Sequence, residues 1–180
     1  MLKKYFAPGS LFSYKGYRNF FISGLIFVLG ASAFPIALAV TVLDNGGDAS
    51  ALGLILAARV AAGTLFMLIG GVWADRLPRK WIMIGADSFR AVICLILLFV
   101  SANDLPLWAI GLLVFLMGLG DSFGAPAGSA IVPSLLPDHL LPAGNVARGI
   151  VGKVGNIVGP GLGGLAITVL GARSEEHTSE

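Results

Sequence analysis

The chain has 180 residues, of which 56% are hydrophobic and only 12% are charged, and its mean hydropathy is +0.87. This composition excludes a water-soluble globular domain, because too much apolar surface would face water. The formal net charge of +2 is small, and the basic residues cluster at the ends of apolar runs, which argues against nucleic-acid binding. We therefore expect lipid to be the main solvent of this chain.

Apolar runs long enough to cross a bilayer follow one another along the sequence. An α-helix rises about 1.5 Å per residue, so about 20 residues cross a hydrocarbon core of about 30 Å. Ser50 is the predicted N-cap of the second helix. The fourth run is too long for one straight crossing, so we expect it to tilt or to leave the bilayer near Pro126 or Pro133. The runs predict an all-α membrane protein with spans at residues 20–43, 51–74, 81–101, 106–136 and 145–171.

Lysine and arginine are unevenly distributed between the connecting segments. The first and third loops have none, whereas the amino-terminal segment, the second loop and the edge of the fourth carry them. Cytoplasmic loops are enriched in these residues, so the pattern predicts a cytoplasmic amino terminus in a multi-pass protein of the plasma or inner membrane. The residues are Lys3, Lys4, Lys15, Arg18, Arg76, Arg79, Lys80 and Arg148.

The last eight residues differ from the rest in composition. All the glutamates of the chain fall within residues 173–180, which read RSEEHTSE. This octapeptide is also the in-frame translation of AGATCGGAAGAGCACACGTCTGAA, a common sequencing-library adapter. We expect 173–180 to be a non-native tail and 1–172 to be an incomplete amino-terminal transmembrane bundle, the alternative being a genuine polar tail.

A charged segment, GGVWADRLPRK at residues 70–80, connects the second and third spans. It resembles the signature Gly-x-x-Ala-Asp-Arg-x-Gly-Arg-Arg/Lys of the major facilitator superfamily. Pro78 replaces the usual glycine, so a turn that needs positive φ cannot form there. The resemblance implies a latch on the cytoplasmic side, and the alternative is positive-inside anchoring alone. The matching residues are Gly71, Ala74, Asp75, Arg76, Arg79 and Lys80.

The fifth span contains a second motif of this kind. It resembles Gly-x-x-x-Gly-Pro-x-x-Gly-Gly, which is associated with exporters of the superfamily. Glycines every four residues line one helix face and allow a second helix to approach closely. Ordinary small-residue packing explains the glycines equally well. The matching residues are Gly155, Gly159, Pro160, Gly163 and Gly164.

Residues 115–145 of the fourth span and the following loop resemble the macrolide and siderophore exporter branch. A glycine ladder, Gly120, Gly124 and Gly128, predicts close helix contact here as well. Val114 occupies the position at which many proton-coupled drug antiporters have an arginine. A coupling mechanism that depends on that arginine therefore cannot be transferred to this chain.

Ionisable residues inside the spans are the remaining signal, because each charge costs about 2.5–3.5 kcal/mol near the bilayer centre. Asp87 and Arg90 are three residues apart and can pair on one helix face. With Asp121 and Lys153 they are expected to form one network. Asp121 is the best candidate for the residue that takes up and releases a proton, the alternative being a structural ion pair. Arg59 is expected near the outer third of its helix, where it reaches the surface or meets an anionic substrate.

No catalytic site, cofactor or metal is expected. No glycine-rich phosphate loop follows a strand pattern. His139 lies in a predicted loop and His177 in the tail, so no histidine base is available within the membrane. We therefore do not expect the protein to be an enzyme.

The resemblance implies a secondary active transporter that exports amphipathic small molecules, coupled to protons, by alternating access. The chain would hold five of the expected six transmembrane helices of the amino-terminal half. Its expected partners are the lipid bilayer, a small-molecule substrate, protons and a missing carboxyl-terminal half, without which it should not transport. The alternatives are a non-transporting polytopic scaffold or sensor, and an importer of the same superfamily.

Overall fold

Long α-helices dominate the structure. A computed structural model describes residues 10–76, 78–100 and 105–176, except that the side chains of 73–76, 100, 125, 166–167 and 169–176 lie outside the description. Short 3-10 turns lie at Leu11–Ser13 and Asp138–Leu140. The described residues contain helices and no strand, as the all-α prediction requires. The helices are α1 (Lys15–Asp44), α2 (Ala49–Arg76), α3 (Arg79–Val100), α4 (Leu107–Ala130), α5 (Val132–Leu135) and α6 (Leu141–Glu176).

Four helices are long and apolar enough to cross a membrane. They correspond to the first four predicted spans. Helix α6 covers the fifth predicted span, but over the described residues it is not among these four, so the fifth span stays a prediction. Large apolar side chains such as Leu68 and Ile157 are 82% and 79% exposed, which suits contact with lipid. The four candidate spans are Lys15–Asp44, Ala49–Val72, Arg79–Phe99 and Leu107–Ala130.

The fourth predicted span ends earlier than expected. Helix α4 passes through Pro126 and ends at Ala130, and Ile131 separates it from the short α5. Pro133 has no amide hydrogen to donate to the carbonyl of Ser129, so a regular helix cannot continue there unchanged. The predicted run 106–136 is therefore longer than helix α4, whose end lies close to Pro133, one of the two places where the run was expected to leave the bilayer. Asp121 lies closer to the end of its helix than the full run implied.

Helix α1 ends in a Schellman turn. Gly46 has φ +77°, a conformation that favours glycine because other side chains are strained there. The amide of Gly46 donates to the carbonyl of Leu43 at 3.1 Å, and the amide of Gly47 donates to the carbonyl of Val42 at 2.8 Å. These two bonds satisfy carbonyls that the helix end would otherwise leave without partners.

Asp48 caps helix α2. Its Oδ1 accepts hydrogen bonds from the Ser50 hydroxyl at 2.7 Å and from the Ala51 amide at 2.8 Å. These bonds stabilise the carboxylate, so the pKa of Asp48 lies below its usual value. Ser50 was predicted as the cap, which was wrong: α2 begins at Ala49, and the residue before it holds the capping position.

Contacts divide the chain into two compact units. The first unit holds the described residues up to Ala39 and from Val132 onward, and the second unit holds Val40–Ile131. In the second unit, α4 packs against α2 and α3. In the first unit, Tyr17 is buried against Val132 and Leu136. The Tyr17 hydroxyl donates a hydrogen bond to the carbonyl of Gly144 at 2.8 Å, which ties α1 to α6.

Candidate functional site

Two arginines of the second unit share one carboxylate. Asp121 lies on α4, and its Oδ2 accepts bonds from Nε and Nη2 of Arg59 on α2, at 3.1 and 2.9 Å. Its Oδ1 accepts a bond from Nη1 of Arg90 on α3 at 2.7 Å. The side chains of Arg59, Arg90 and Asp121 are 18%, 11% and 31% exposed. Asp121 therefore joins three helices through charge-assisted hydrogen bonds.

The position of the Arg59 side chain differs from the prediction. Instead of reaching the membrane surface, it binds Asp121. By helical rise, Arg59 lies about 15 Å from the start of α2, and Asp121 lies about 21 Å from the start of α4. Successive spans alternate in direction, so both distances are measured from the same side, and the long arginine side chain covers the difference. Because the Asp121 carboxylate lies within reach, the Arg59 guanidinium has an ionic partner. It therefore does not need to extend to water at the membrane surface.

Arg90 also pairs with Asp87, as their spacing predicted. The Asp87 side chain is 53% exposed, so it forms the open end of the charge network of the second unit. Lys153 lies on α6 in the first unit, where its side chain is exposed, and it makes no ion pair among the described residues. The membership of Lys153 in the network stays a prediction, because Lys153 and the other charges belong to different units. Arg59 is a member that the sequence interpretation left out.

Glycines of α4 make room for Arg90. A Cβ added at Gly120 would lie 3.0 Å from Cγ of Arg90, and one at Gly124 would lie 2.9 Å from its Nη2. At Gly128, the third residue of the predicted ladder, nothing lies within 4 Å. The ladder therefore accommodates an arginine side chain beside Asp121, and only two of its three residues take part.

Helices α2 and α4 approach closely through two further glycines. A Cβ at Gly118 would overlap the carbonyl of Arg59 and lie 2.9 Å from Cβ of Ala62, and one at Gly70 would lie 2.8 Å from the carbonyl carbon of Ser122. This contact was not predicted. Gly63 and Gly70, about two helical turns apart on α2, were the available signal.

The residues of the predicted cytoplasmic latch surround the connection from α2 to α3. Helix α2 includes Ala74, Asp75 and Arg76, but their side chains lie outside the described residues. Gly71 has open space where a side chain would be. The carbonyl of Pro78 accepts a hydrogen bond from the amide of Trp81 at 2.9 Å. Pro78 therefore lies immediately before α3, at a position that needs neither an amide hydrogen nor positive φ.

Arg79 connects this segment to the end of α4. Its Nη1 donates to the carbonyl of Ala130 at 2.7 Å. Ala130 is the last residue of α4, where carbonyls lack helical partners and carry partial negative charge. Lys80 is exposed. Of the basic residues of the motif whose side chains are described, Arg79 thus binds a neighbouring helix and Lys80 is exposed.

In the first unit, the glycine face of α6 packs on α1. A Cβ at Gly155 would collide with Val28, one at Gly159 would lie 3.0 Å from the carbonyl oxygen of Leu29, and one at Gly163 would lie 3.1 Å from Cβ of Ala33. All three glycines are buried, and the predicted helix contact is confirmed. Gly164 has nothing within 4 Å of its added Cβ and takes no part in this contact.

A groove of about 540 Å³ lies beside this contact. The Ser32 hydroxyl donates a hydrogen bond to Oδ1 of Asn156 at 2.9 Å, linking α1 to α6 at the groove. Pro160 of the exporter-type motif borders it. The lining residues are Val28, Ala31, Ser32, Pro35, Gly152, Asn156 and Pro160.

Residues 20–175 match the family model of the Major Facilitator Superfamily. The chain belongs to this superfamily. Members of the major facilitator superfamily are transporters rather than enzymes. The match and the four long apolar helices together make the chain a multi-pass membrane protein.

Several relatives within the superfamily are similar to parts of this chain. Macrolide efflux protein A of Enterococcus faecalis is 39% identical over 72 residues, covering 39% of this chain and 22% of that protein. The uncharacterized MFS-type transporter YfkF of Bacillus subtilis is 30% identical over 159 residues, covering 88% and 39%. The multidrug efflux pump Tap of Mycolicibacterium fortuitum is 33% identical over 142 residues, covering 72% and 33%. The chain thus spans between 22% and 39% of the length of these relatives.

Proposed function

We propose that the protein exports amphipathic small molecules in exchange for protons by alternating access. Two relatives are named as efflux proteins, one for macrolides and one for multiple drugs. The complete exporter-type motif, with its glycine face packed on α1, supports the same direction of transport. An amphipathic drug or siderophore-like compound is the substrate class that this proposal takes from the resemblance.

The shared carboxylate of Asp121 is the observation that carries the proposal of proton coupling. Its ionised form attracts Arg59 on α2 and Arg90 on α3 at once. Protonation would remove its charge, and the Coulomb attraction to both guanidinium groups would be lost together. Proton uptake at this one carboxylate would therefore loosen two helix contacts and let α2 and α3 change position relative to α4.

Everted membrane vesicles that carry the chain together with the expected carboxyl-terminal half test this coupling. We expect erythromycin, added as the probe substrate, to cause proton movement that a pH-sensitive dye detects, and Asp121→Asn to abolish it. Asp44→Asn is the matched control, because Asp44 is an exposed carboxylate at the end of α1 and lies outside the network. Proton movement that survives in Asp121→Asn would refute the coupling role.

The alternatives predict different results in the same vesicles. A scaffold or sensor would give no substrate-dependent flux with any macrolide, other drug or siderophore. With the interior of the everted vesicles acidic, the proposed exporter would move the probe into the vesicles, whereas a proton-coupled importer of the same superfamily would move it out. Export that depends on Asp121 would exclude both alternatives.

We also propose that residues 71–80 form a cytoplasmic gate. Arg79 supports this role because its hydrogen bond connects the start of α3 to the end of α4. A movement of α4 would therefore also move residues 71–80. Asp75 is the residue expected to bind the opposing half and to release it when the halves rock apart. In this proposal the amino terminus and Lys80 lie on the cytoplasmic side of the plasma or inner membrane.

Labelling with a membrane-impermeant maleimide tests the orientation in a Cys94→Ser background. We expect Lys80→Cys, at an exposed position, to react in everted vesicles but not in intact cells. Asp44→Cys, at the opposite end of α1 from the amino terminus, is expected to show the reverse pattern. Labelling of Lys80→Cys from outside the cell would overturn the orientation and the gate.

A further inference from the structure

The groove of the first unit combines polar groups from two helices in an apolar setting. Ser32 on α1 and Asn156 on α6 face each other across it. Its volume of about 540 Å³ lies within the roughly 300–1,000 Å³ that small-molecule sites occupy. A few convergent polar groups in a mainly apolar pocket are typical of such sites, because apolar contact supplies area and the polar groups fix orientation.

Two prolines add backbone acceptors to the same groove. Pro35 lies inside α1 and Pro160 lies inside α6. Each has no amide hydrogen, so the carbonyl four residues earlier loses its usual helical partner. Those carbonyls belong to Ala31 and Asn156, and both residues line the groove together with both prolines. Each of the two helices thus contributes to the groove a residue whose carbonyl lacks its usual helical partner.

The chemistry of this set favours a ligand that donates hydrogen bonds. Carbonyl oxygens only accept, and the Ser32 hydroxyl can accept while it donates to Asn156. A carbonyl that lacks its helical hydrogen bond is stabilised by any donor that reaches it, because lipid tails offer none. Lys153 lies three residues before Asn156 on α6, a spacing that places the two side chains on neighbouring positions of the helix surface. Its positive charge disfavours a cationic ligand, and the acceptor oxygens of the groove disfavour an anionic one, so a neutral ligand remains.

We infer that the groove between α1 and α6 is a binding site for a neutral, hydrogen-bond-donating amphiphile, such as an alcohol or amide with an apolar body. The donor group binds one of the acceptor oxygens that Ala31, Ser32 and Asn156 supply, and the apolar body lies against Val28 and the prolines. As a substrate site, this inference rests on the proposed export function. As a binding site, it stands on the groove alone.

Three probes of similar size test the inference with the full chain in lipid nanodiscs. They are 2-naphthalenemethanol, its methyl ether and 2-naphthylmethylammonium, and equilibrium dialysis with empty nanodiscs corrects for partition into lipid. The alcohol has a hydroxyl donor, the ether has none, and the ammonium ion has donors but carries charge. We expect the alcohol to bind about two- to tenfold more tightly than the ether, the range of one hydrogen bond, and more tightly than the ammonium ion.

Two variants change the acceptors by different routes. Asn156→Leu removes the side-chain amide, and Pro160→Ala restores an amide hydrogen that can bond to the carbonyl of Asn156. Each is expected to weaken binding of the alcohol about two- to tenfold and to leave binding of the ether unchanged. Unchanged binding of the ether also shows that the variant groove is folded.

Matched controls lie outside the groove. Pro126→Ala changes another intrahelical proline, on α4, and Ser23→Ala changes another serine of α1, whose hydroxyl donates to the carbonyl of Phe20. Both are expected to leave all three dissociation constants unchanged.

The inference is overturned if the alcohol and the ether bind equally, if the ammonium ion binds most tightly, or if Asn156→Leu and Pro160→Ala affect alcohol and ether alike. A preference for the alcohol without proton movement driven by any macrolide, other drug or siderophore in vesicles would refute the proposed export while supporting the site. Proton movement without that preference would do the opposite.

Discussion

The two units of this protein connect their helices by different means. In the second unit, α2, α3 and α4 meet at the carboxylate of Asp121, which binds two arginines. In the first unit, α1 and α6 meet where glycines bring the backbones together, with hydrogen bonds between neutral groups at Tyr17 and Ser32. Lipid supplies no hydrophobic driving force between helices, so either polar bonds or close van der Waals contact must hold them. The units show both solutions in one chain.

Removal of the shared charge should have the largest effect on stability. Asp121→Asn leaves two arginines without their carboxylate, and loss of one partner of a buried ion pair costs about 3–5 kcal/mol. Because Asp121 is 31% exposed, we expect a smaller loss, about 2–3 kcal/mol of unfolding free energy. Titration of the detergent-solubilised protein with sodium dodecyl sulfate, followed by circular dichroism, measures it.

Asp87→Asn is the comparison variant for this prediction. Asp87 is 53% exposed and contacts only Arg90 among the charged groups of the network, so the expected loss is below about 1 kcal/mol. Equal losses in the two variants would show that Asp121 is not the centre of the network.

Close packing in the first unit predicts the next largest effect. Gly155→Ala would place a methyl group on Val28, and overpacking of this kind costs about 1–3 kcal/mol. Gly161→Ala, at a position with nothing within 4 Å, should instead be neutral or slightly stabilising, because alanine favours helix more than glycine does. The same detergent titration compares them, and similar results for both variants would contradict the proposed role of the glycine face.

The hydroxyl of Tyr17 should contribute less. Tyr17→Phe keeps the packing of the buried ring but removes the bond to the carbonyl of Gly144, for an expected loss of about 1 kcal/mol. Tyr14→Phe removes a hydroxyl from a partly buried tyrosine at the edge of the same cluster and serves as the control. If the two substitutions shift the unfolding midpoint equally, the bond from Tyr17 has no special role.

The cap of α2 predicts a small dependence of stability on acid. Hydrogen bonds from Ser50 and Ala51 hold the pKa of Asp48 below its usual value of 3.8. The folded state therefore binds this proton less readily than the unfolded state does, and the stabilisation is complete above pH 3.8 and lost as the pH falls through the lower folded pKa. The free energy of unfolding of the wild type and of Asp48→Ala is measured between pH 6 and pH 2. The difference between the two proteins should shrink only at the acid end of this range. A difference that grows with acid would have the wrong sign.

Much of the fold could be predicted because lipid constrains sequence strongly. The first three helices begin and end within a few residues of the predicted spans, because charged and turn-forming residues bound their apolar runs. The fourth was predicted too long, since the loop after Ala130 is itself apolar and hydropathy could not mark the helix end. The spacing of the α6 glycines predicted that they contact another helix. It did not predict which residues of α1 form that contact.

The candidate site was harder to predict than the fold. The pairing of Asp87 with Arg90 is local and followed from a spacing of three residues. The pairing of Arg59 with Asp121 joins residues 62 positions apart, and it depends on how deep each lies in its helix and which way each helix face points.

The sequence by itself determined that this chain forms long helices in a membrane, that it belongs to a transporter superfamily and that certain glycines and charges need partners. These properties follow from composition and local spacing, because the free energy of placing a residue in lipid depends mainly on the residue itself. Only the tertiary structure decided which partners they have: two arginines for Asp121, α1 for the glycines of α6, and two prolines beside one groove. Such pairings depend on the rotation and depth of whole helices, which long-range packing fixes.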